Sequence, residues 1–105
     1  MQEIRPTNSI FQSAGMGEAF ATELTRALES SPLVHVDLST VETMTPSFAN
    51  AMVMTLLERF SLATLQSRCV FMNRSPHVID VMNRAVLRYE RGIRLSNQRP
   101  HAAAG

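Results

Sequence analysis

Two segments of this chain share one device. Val34-His35-Val36-Asp37-Leu38 leads through polar residues to Thr45-Pro46-Ser47, and Cys69-Val70-Phe71-Met72 leads through Asn73-Arg74 to Ser75-Pro76-His77. In each, a short apolar run suits a strand, and the run from Leu33 to Leu38 suits one covered on both faces. In each, a hydroxyl residue ahead of a proline then marks a helix start. Thr45 and Ser75 suit the N-cap, where a side-chain oxygen accepts from an otherwise unpaired helical N–H and stabilises by about 1 kcal/mol over alanine. Pro46 and Pro76 at the first helical position give up no intrahelical bond and already hold the helical φ. Strands that alternate with helices favour an α/β fold with a mostly parallel sheet core and right-handed crossovers.

The remaining periodicities fill in this frame. Met16, Phe20, Leu24, Ala27 and Leu28 recur on one helical stripe, with Ser13 as N-cap and Ser30-Ser31-Pro32 as the stop. A second helix is expected from about Pro46 to Leu62. Its broad face of Phe48, Ala49, Met52, Val53, Leu56, Leu57 and Phe60 should cover the sheet. A third helix begins at Pro76, turns Val78, Val81, Met82, Ala85 and Val86 inward, and is expected to break at Gly92. Ile93-Arg94-Leu95 then suits a short final strand. Ile4, Ile10 and Phe11 suit an edge strand or an ordered arm interrupted by Pro6-Thr7-Asn8-Ser9. The expectation is about three helices, one domain over 1–96 and a disordered tail over 97–105.

Composition removes several function classes. A chain of 105 residues builds one core. No apolar run is long enough to span a bilayer and the N-terminus has no apolar signal region, so a cytoplasmic protein with no membrane partner is expected. The single cysteine, Cys69, excludes an internal disulfide and suits a reducing compartment. His35, His77 and His101 lack metal-ligand spacing, and no metal or cofactor is expected. A net charge of +1 does not suggest a nucleic-acid binder. Arg84, Arg88, Arg91, Arg94 and Arg99 crowd the C-terminal part, which suits a solvated basic helix end or an anion-binding patch.

The run Asp37-Leu38-Ser39-x-Val41-Glu42-x-Met44-x-x-Ser47-Phe48-Ala49 resembles the STAS-like domain family of bacteria, which is related to the STAS domain of sulfate transporters and anti-sigma-factor antagonists. Val70-Phe71-Met72-Asn73-Arg74-Ser75-Pro76-His77-Val78 is similar to that family's strand, asparagine-containing loop and Ser-Pro helix start. The resemblance covers roughly residues 13–88. It implies a small α/β sandwich acting as a binding or switch module without enzymatic activity. In anti-sigma-factor antagonists the matching helix start carries a serine phosphorylated by a partner kinase, and Ser47 is the matching position. Phe48, where true antagonists have glycine, fits the STAS-like branch.

These readings place the candidate sites. Ser47, Asn50, Ala51, Met54, Thr55 and Glu58 form the second helix's outer face, with methionine near its middle. Methionine adapts to varied partners, so this face is a candidate dock for an anti-sigma or histidine-kinase-like ATPase, with an ordinary exposed face as the competing reading. Phosphate on Ser47 would set about two negative charges in that dock. Parallel topology sets the Asn73-Arg74-Ser75 loop beside the Thr43–Ser47 turn, making Arg74 and Ser75 candidate anion-binding residues. A small-molecule or nucleotide-binding module is the alternative function. No Gly-rich phosphate loop supports it. A Ser47-His77-Asp37 triad lacks the glycines of a nucleophile elbow, and no catalytic residue is assigned.

Overall fold

A computed structural model describes residues 1–98. In chain order the elements are β1 (Gln2–Ile4), β2 (Ile10–Phe11), α1 (Ala14–Ser30), β3 (Val34–Asp37), β4 (Thr43–Met44), α2 (Pro46–Leu57), α3 (Leu62–Arg68), β5 (Cys69–Met72) and α4 (Pro76–Gln98). The fold is α/β with parallel pairing throughout. One sheet has the order β1-β3-β5, and β2 pairs with β4 in a two-stranded ribbon beside it.

The helix starts follow the expected chemistry. Ser13 accepts from Met16 N at 3.1 Å, Thr45 from Phe48 N at 3.1 Å and Ser75 from Val78 N at 3.2 Å. α1 stops at Ser30, and its C-terminal carbonyls are satisfied from a distant element. Arg68 donates to the carbonyls of Leu28, Ser31 (2.9 Å) and Pro32 (3.0 Å), supplying the cation that favours a helix C-terminus.

Residue parity and the crossovers make this a two-layer structure. Ile4, Val36 and Phe71 are in register on one face, while Glu3, His35 and Val70 are in register on the other. Both crossovers advance the sheet in the same direction, so right-handed connections put their helices on one side. α1 accordingly packs along α2, and α2 packs against α4. The helical layer buries Ile4, Val34 and Val36, whereas Glu3 is exposed, His35 half-buried and Val70 37% exposed. The expectation that Leu33–Leu38 is covered on both faces holds only in part: Val34, Val36 and Leu38 are buried by the helical layer, while on the other parity Leu33 and His35 are half-buried and only Asp37 is buried.

Phe11, Phe20 and Phe48 join the ribbon, α1 and α2. Phe11 and Phe48 stack at 4.3 Å between ring centres, and Phe20 tilts against Phe11 at 5.1 Å. Gly17 permits this closeness. A Cβ added there would sit 2.3 Å from the Phe48 carbonyl oxygen and 3.2 Å from Ala51 Cβ.

Three expectations change. The second helix ends at Leu57, not Leu62, and α3 follows as a fourth helix, because Ser61 caps a new start by accepting from Thr64 N at 3.1 Å. The N-terminal segment forms two strands, split where Pro6 interrupts pairing. Gly92 does not break α4, and Ile93-Arg94-Leu95 is helical, not a strand. One glycine costs a helix interior only about 1 kcal/mol, too little by itself to end a helix. Of the expected tail, Asn97 and Gln98 belong to α4, and 99–105 lie outside the described residues.

The two glycines have opposite surroundings, and their alanine variants should respond oppositely. Gly17→Ala forces α1 and α2 apart at backbone level and is expected to cost about 2–3 kcal/mol, lowering Tm by roughly 10 °C or more. Gly92→Ala meets nothing within 4 Å and should raise Tm by a few degrees through about 0.5–1 kcal/mol of helix propensity. Thermal unfolding followed by circular dichroism checks both.

Candidate functional site

The carboxyl ends of the three central strands meet in a polar cluster around Asp37, which is 6% exposed. Asp37 ends β3. Its Oδ1 accepts from Ser39 N at 3.0 Å and from Asn73 Nδ2, just beyond β5, at 3.2 Å. Its Oδ2 lies 3.2 Å from Arg5 Nε, just beyond β1. Asn73 holds a φ of 58°, a left-handed conformation that asparagine tolerates better than most residues. The Ser39 backbone N–H, the Asn73 amide and the Ser39 hydroxyl, with a smaller contribution from Arg5, hold the Asp37 carboxyl below its ordinary value of 3.8 against the opposing effect of burial. The cluster ties β1, β3 and β5 together just above the sheet. The Asp37-x-Ser39 spacing, which suits an Asx turn, is the signal that could have found it; Asn73 is marked only by the resemblance to the family's asparagine-containing loop, and Arg5 by nothing.

Beside this cluster, β4 delivers the chain into α2. Thr45 donates its N–H to Phe11 O at 2.9 Å and its hydroxyl to Gln12 O, while accepting from Phe48 N. Met44 donates its N–H to His77 Nε2 at 3.3 Å. The imidazole that accepts this bond carries no proton on that nitrogen. The contact sets the start of α4 beside the turn into α2, as parallel topology predicts.

Ser47 is exposed in the first turn of α2. Along the same outer face, Met54 is 53% exposed and Glu58 is exposed. The other residues of that face are partly engaged. Ala51 is half-buried where α1 approaches at Gly17, and Thr55 is half-buried. Asn50 Oδ1 accepts from Arg88 Nη1 of α4 at 2.8 Å. α1 and α4 thus narrow the outer face to a strip. The small residue at 51 serves the helix–helix contact, a role that only the fold exposes.

The two candidate anion-binding residues separate. Ser75 is committed to capping α4. Arg74 turns its guanidinium to Met82 Sδ at 3.9 Å and lines a pocket between α2, α3, β5 and α4. The arginine bonded to the outer strip of α2 is Arg88. Arg84, Leu87, Arg88 and Arg91 border a shallow depression of about 260 Å³ on α4. Cys69 is buried, and burial pushes its thiol up to about 11, which keeps it protonated and unreactive near neutral pH. Among the described residues, no three His, Cys, Asp or Glu side chains gather to hold a metal ion, and no helix is long and apolar enough to cross a membrane.

With this geometry in view, residues 16–78 match the family described as a STAS-like domain of unknown function. The matched stretch runs from α1 to the start of α4 and contains the Asp37 turn, Ser47 and the Asn73-Arg74-Ser75 loop. No curated protein and no solved structure matches the chain.

The depressed Asp37 carboxyl makes stability depend on pH with a definite sign. Below 3.8 the unfolded chain takes up this proton before the folded one does, so stability rises with pH across that interval. The contribution is fully present above 3.8 and is lost as pH falls through the lower, folded-state value. Asp37→Asn should be less stable than the parent near neutral pH and should show a shallower decline toward about pH 2. Urea-unfolding midpoints measured across the acid range test this.

Proposed function

The chain belongs to the STAS-like domain family, and from that membership we propose that it is a non-enzymatic regulatory module that docks a signalling protein on the outer strip of α2. The observation that carries this reading is Met54. It is an apolar side chain more than half exposed in the middle of a helix whose flanks are occupied by α1 and α4. A flexible, polarisable side chain in that position fits a partner surface of varied shape. The partner class we favour is an anti-sigma or histidine-kinase-like ATPase.

Ser47 gives the dock a switch. Its phosphorylation would add close to two negative charges at a helix N-terminus, where the macrodipole favours them, so the domain would stay folded. Asn50, one turn further along the same face, is bonded to Arg88, so a cation borders the strip on which the phosphate would stand. A partner seated over Met54 would have to desolvate that phosphate, and binding would weaken.

Met54→Arg is expected to reduce affinity for a kinase-like ATPase captured from the host at least about tenfold while leaving Tm near the parent's. Ser47→Asp should weaken the same complex and Ser47→Ala should not. Titration calorimetry with the purified pair checks this. Equal affinities across the parent and all three variants would overturn the reading.

A further inference from the structure

The inner side of α2 forms one wall of a second feature, independent of the docking strip. α2, α3, β5 and α4 surround a half-open pocket of about 330 Å³. Met52, Leu56, Leu65 and Met82 form its buried floor, Leu57, Leu62, Phe71 and Val86 are half-buried in its walls, and Gln66 and Asn83 are exposed at its border. Protein interiors are packed to crystal density with few voids larger than a water molecule. This opening falls instead in the size range of small-ligand sites, which begins near 300 Å³. At the ~30 Å³ that each water occupies in the liquid, it holds about ten non-hydrogen atoms.

The charge in this pocket is specific. Of its fourteen lining residues Arg74 alone is ionised, and none is acidic. Arg5, Arg59 and Arg84 pair with carboxylates and Arg68 is spent on backbone carbonyls, while Arg26, Arg88 and Arg91, like Arg74, pair with no carboxylate among the described residues but do not line this pocket. Arg74 pairs with no carboxylate among the described residues, and its side-chain contact is the thioether of Met82 at 3.9 Å, a weak acceptor. A half-buried guanidinium thus presents its planar fork of donors to an apolar cavity without an anion of the protein to match it.

We propose that this pocket binds a short amphipathic monocarboxylate, with the carboxylate paired to Arg74 and the hydrocarbon body against the half-buried side chains of Leu57, Leu62, Phe71 and Val86. The guanidinium fork matches a carboxylate with two parallel hydrogen bonds. One cation balances one negative charge; a nucleotide's several phosphate charges would outnumber it. The apolar walls select a body without polar groups, because an unpaired polar atom there would lose its hydration.

Octanoate, with about ten non-hydrogen atoms, is the probe that fits the volume. Titration calorimetry of the full chain should give saturable binding at one site, and methyl chemical shifts should move at Leu65, Met82 and Val86. Octanol, which has the same body without the charge, should bind about tenfold more weakly or worse. Arg74→Gln should bring octanoate down to the level of octanol and leave octanol unchanged. Val86→Phe should fill the pocket and abolish both, with the circular dichroism spectrum retained. If that variant unfolds, the methyl shifts of the parent protein locate the site. Absence of saturation at millimolar octanoate would overturn the proposal, as would equal binding of octanoate and octanol, an unchanged affinity in Arg74→Gln, or shifts confined to another surface.

Discussion

Gly17 on α1 meets the Phe48 backbone of α2 with no room for a side chain between them. The position of α2 depends on that contact. It lets Phe20 reach the stacked pair of Phe11 and Phe48, so the ribbon, α1 and α2 share one aromatic core. It also makes α2 the central helix of its layer, with α1 on one flank and α4 on the other. Aromatic packing contributes area and geometric preference together, but it orients α2 only because the backbones come close enough first.

α2 then acts as a wall with two unlike sides. Outward it carries Ser47, Met54 and Glu58, bordered by the Asn50–Arg88 contact. Inward, Met52, Val53 and Leu56 close one side of the pocket that Arg74 overlooks. Thr45 holds the N-terminal end of this wall to β2, and His77 holds the neighbouring β4 to the start of α4. The Asp37 cluster fixes the strand ends from which both helices depart. The two candidate sites are therefore built on opposite surfaces of one rigidly seated element, which suits precise placement of side chains.

Much of the fold was legible because its signals are local. Ser13, Thr45 and Ser75 cap their helices through atoms three residues away, and β5 coincides with an apolar run bounded by polar residues. What was not legible depended on distant atoms or on small energy differences. Gly92 reads as a stop, yet its cost is small against a continuing helix. α3 is short, and its cap at Ser61 is hidden inside a pattern that looks like a longer second helix. The second ribbon strand, Thr43–Met44, has too few residues for any periodicity and exists because Ile10 and Phe11 lie beside it.

The candidate sites divide in the same way. From the sequence alone, Ser47 stands at a helix start because Thr45-Pro46 marks one, and Met54 lies on the side opposite the apolar face because a 3.6-residue period assigns it. Tertiary structure alone decided that Ala51 meets α1, that Arg88 and not Arg74 is bonded to that outer strip, and that Arg74 overlooks an apolar pocket. Arginine's long side chain reaches across elements far apart in the chain, so its partner is a property of the packed layers and not of its neighbours in sequence. Arg68, which closes the end of α1 from α3, and Arg5, which meets Asp37 from beyond β1, obey the same rule. Local chemistry determined where helices begin and which face turns inward; the close approach of α1 to α2 decided what each outward residue could touch.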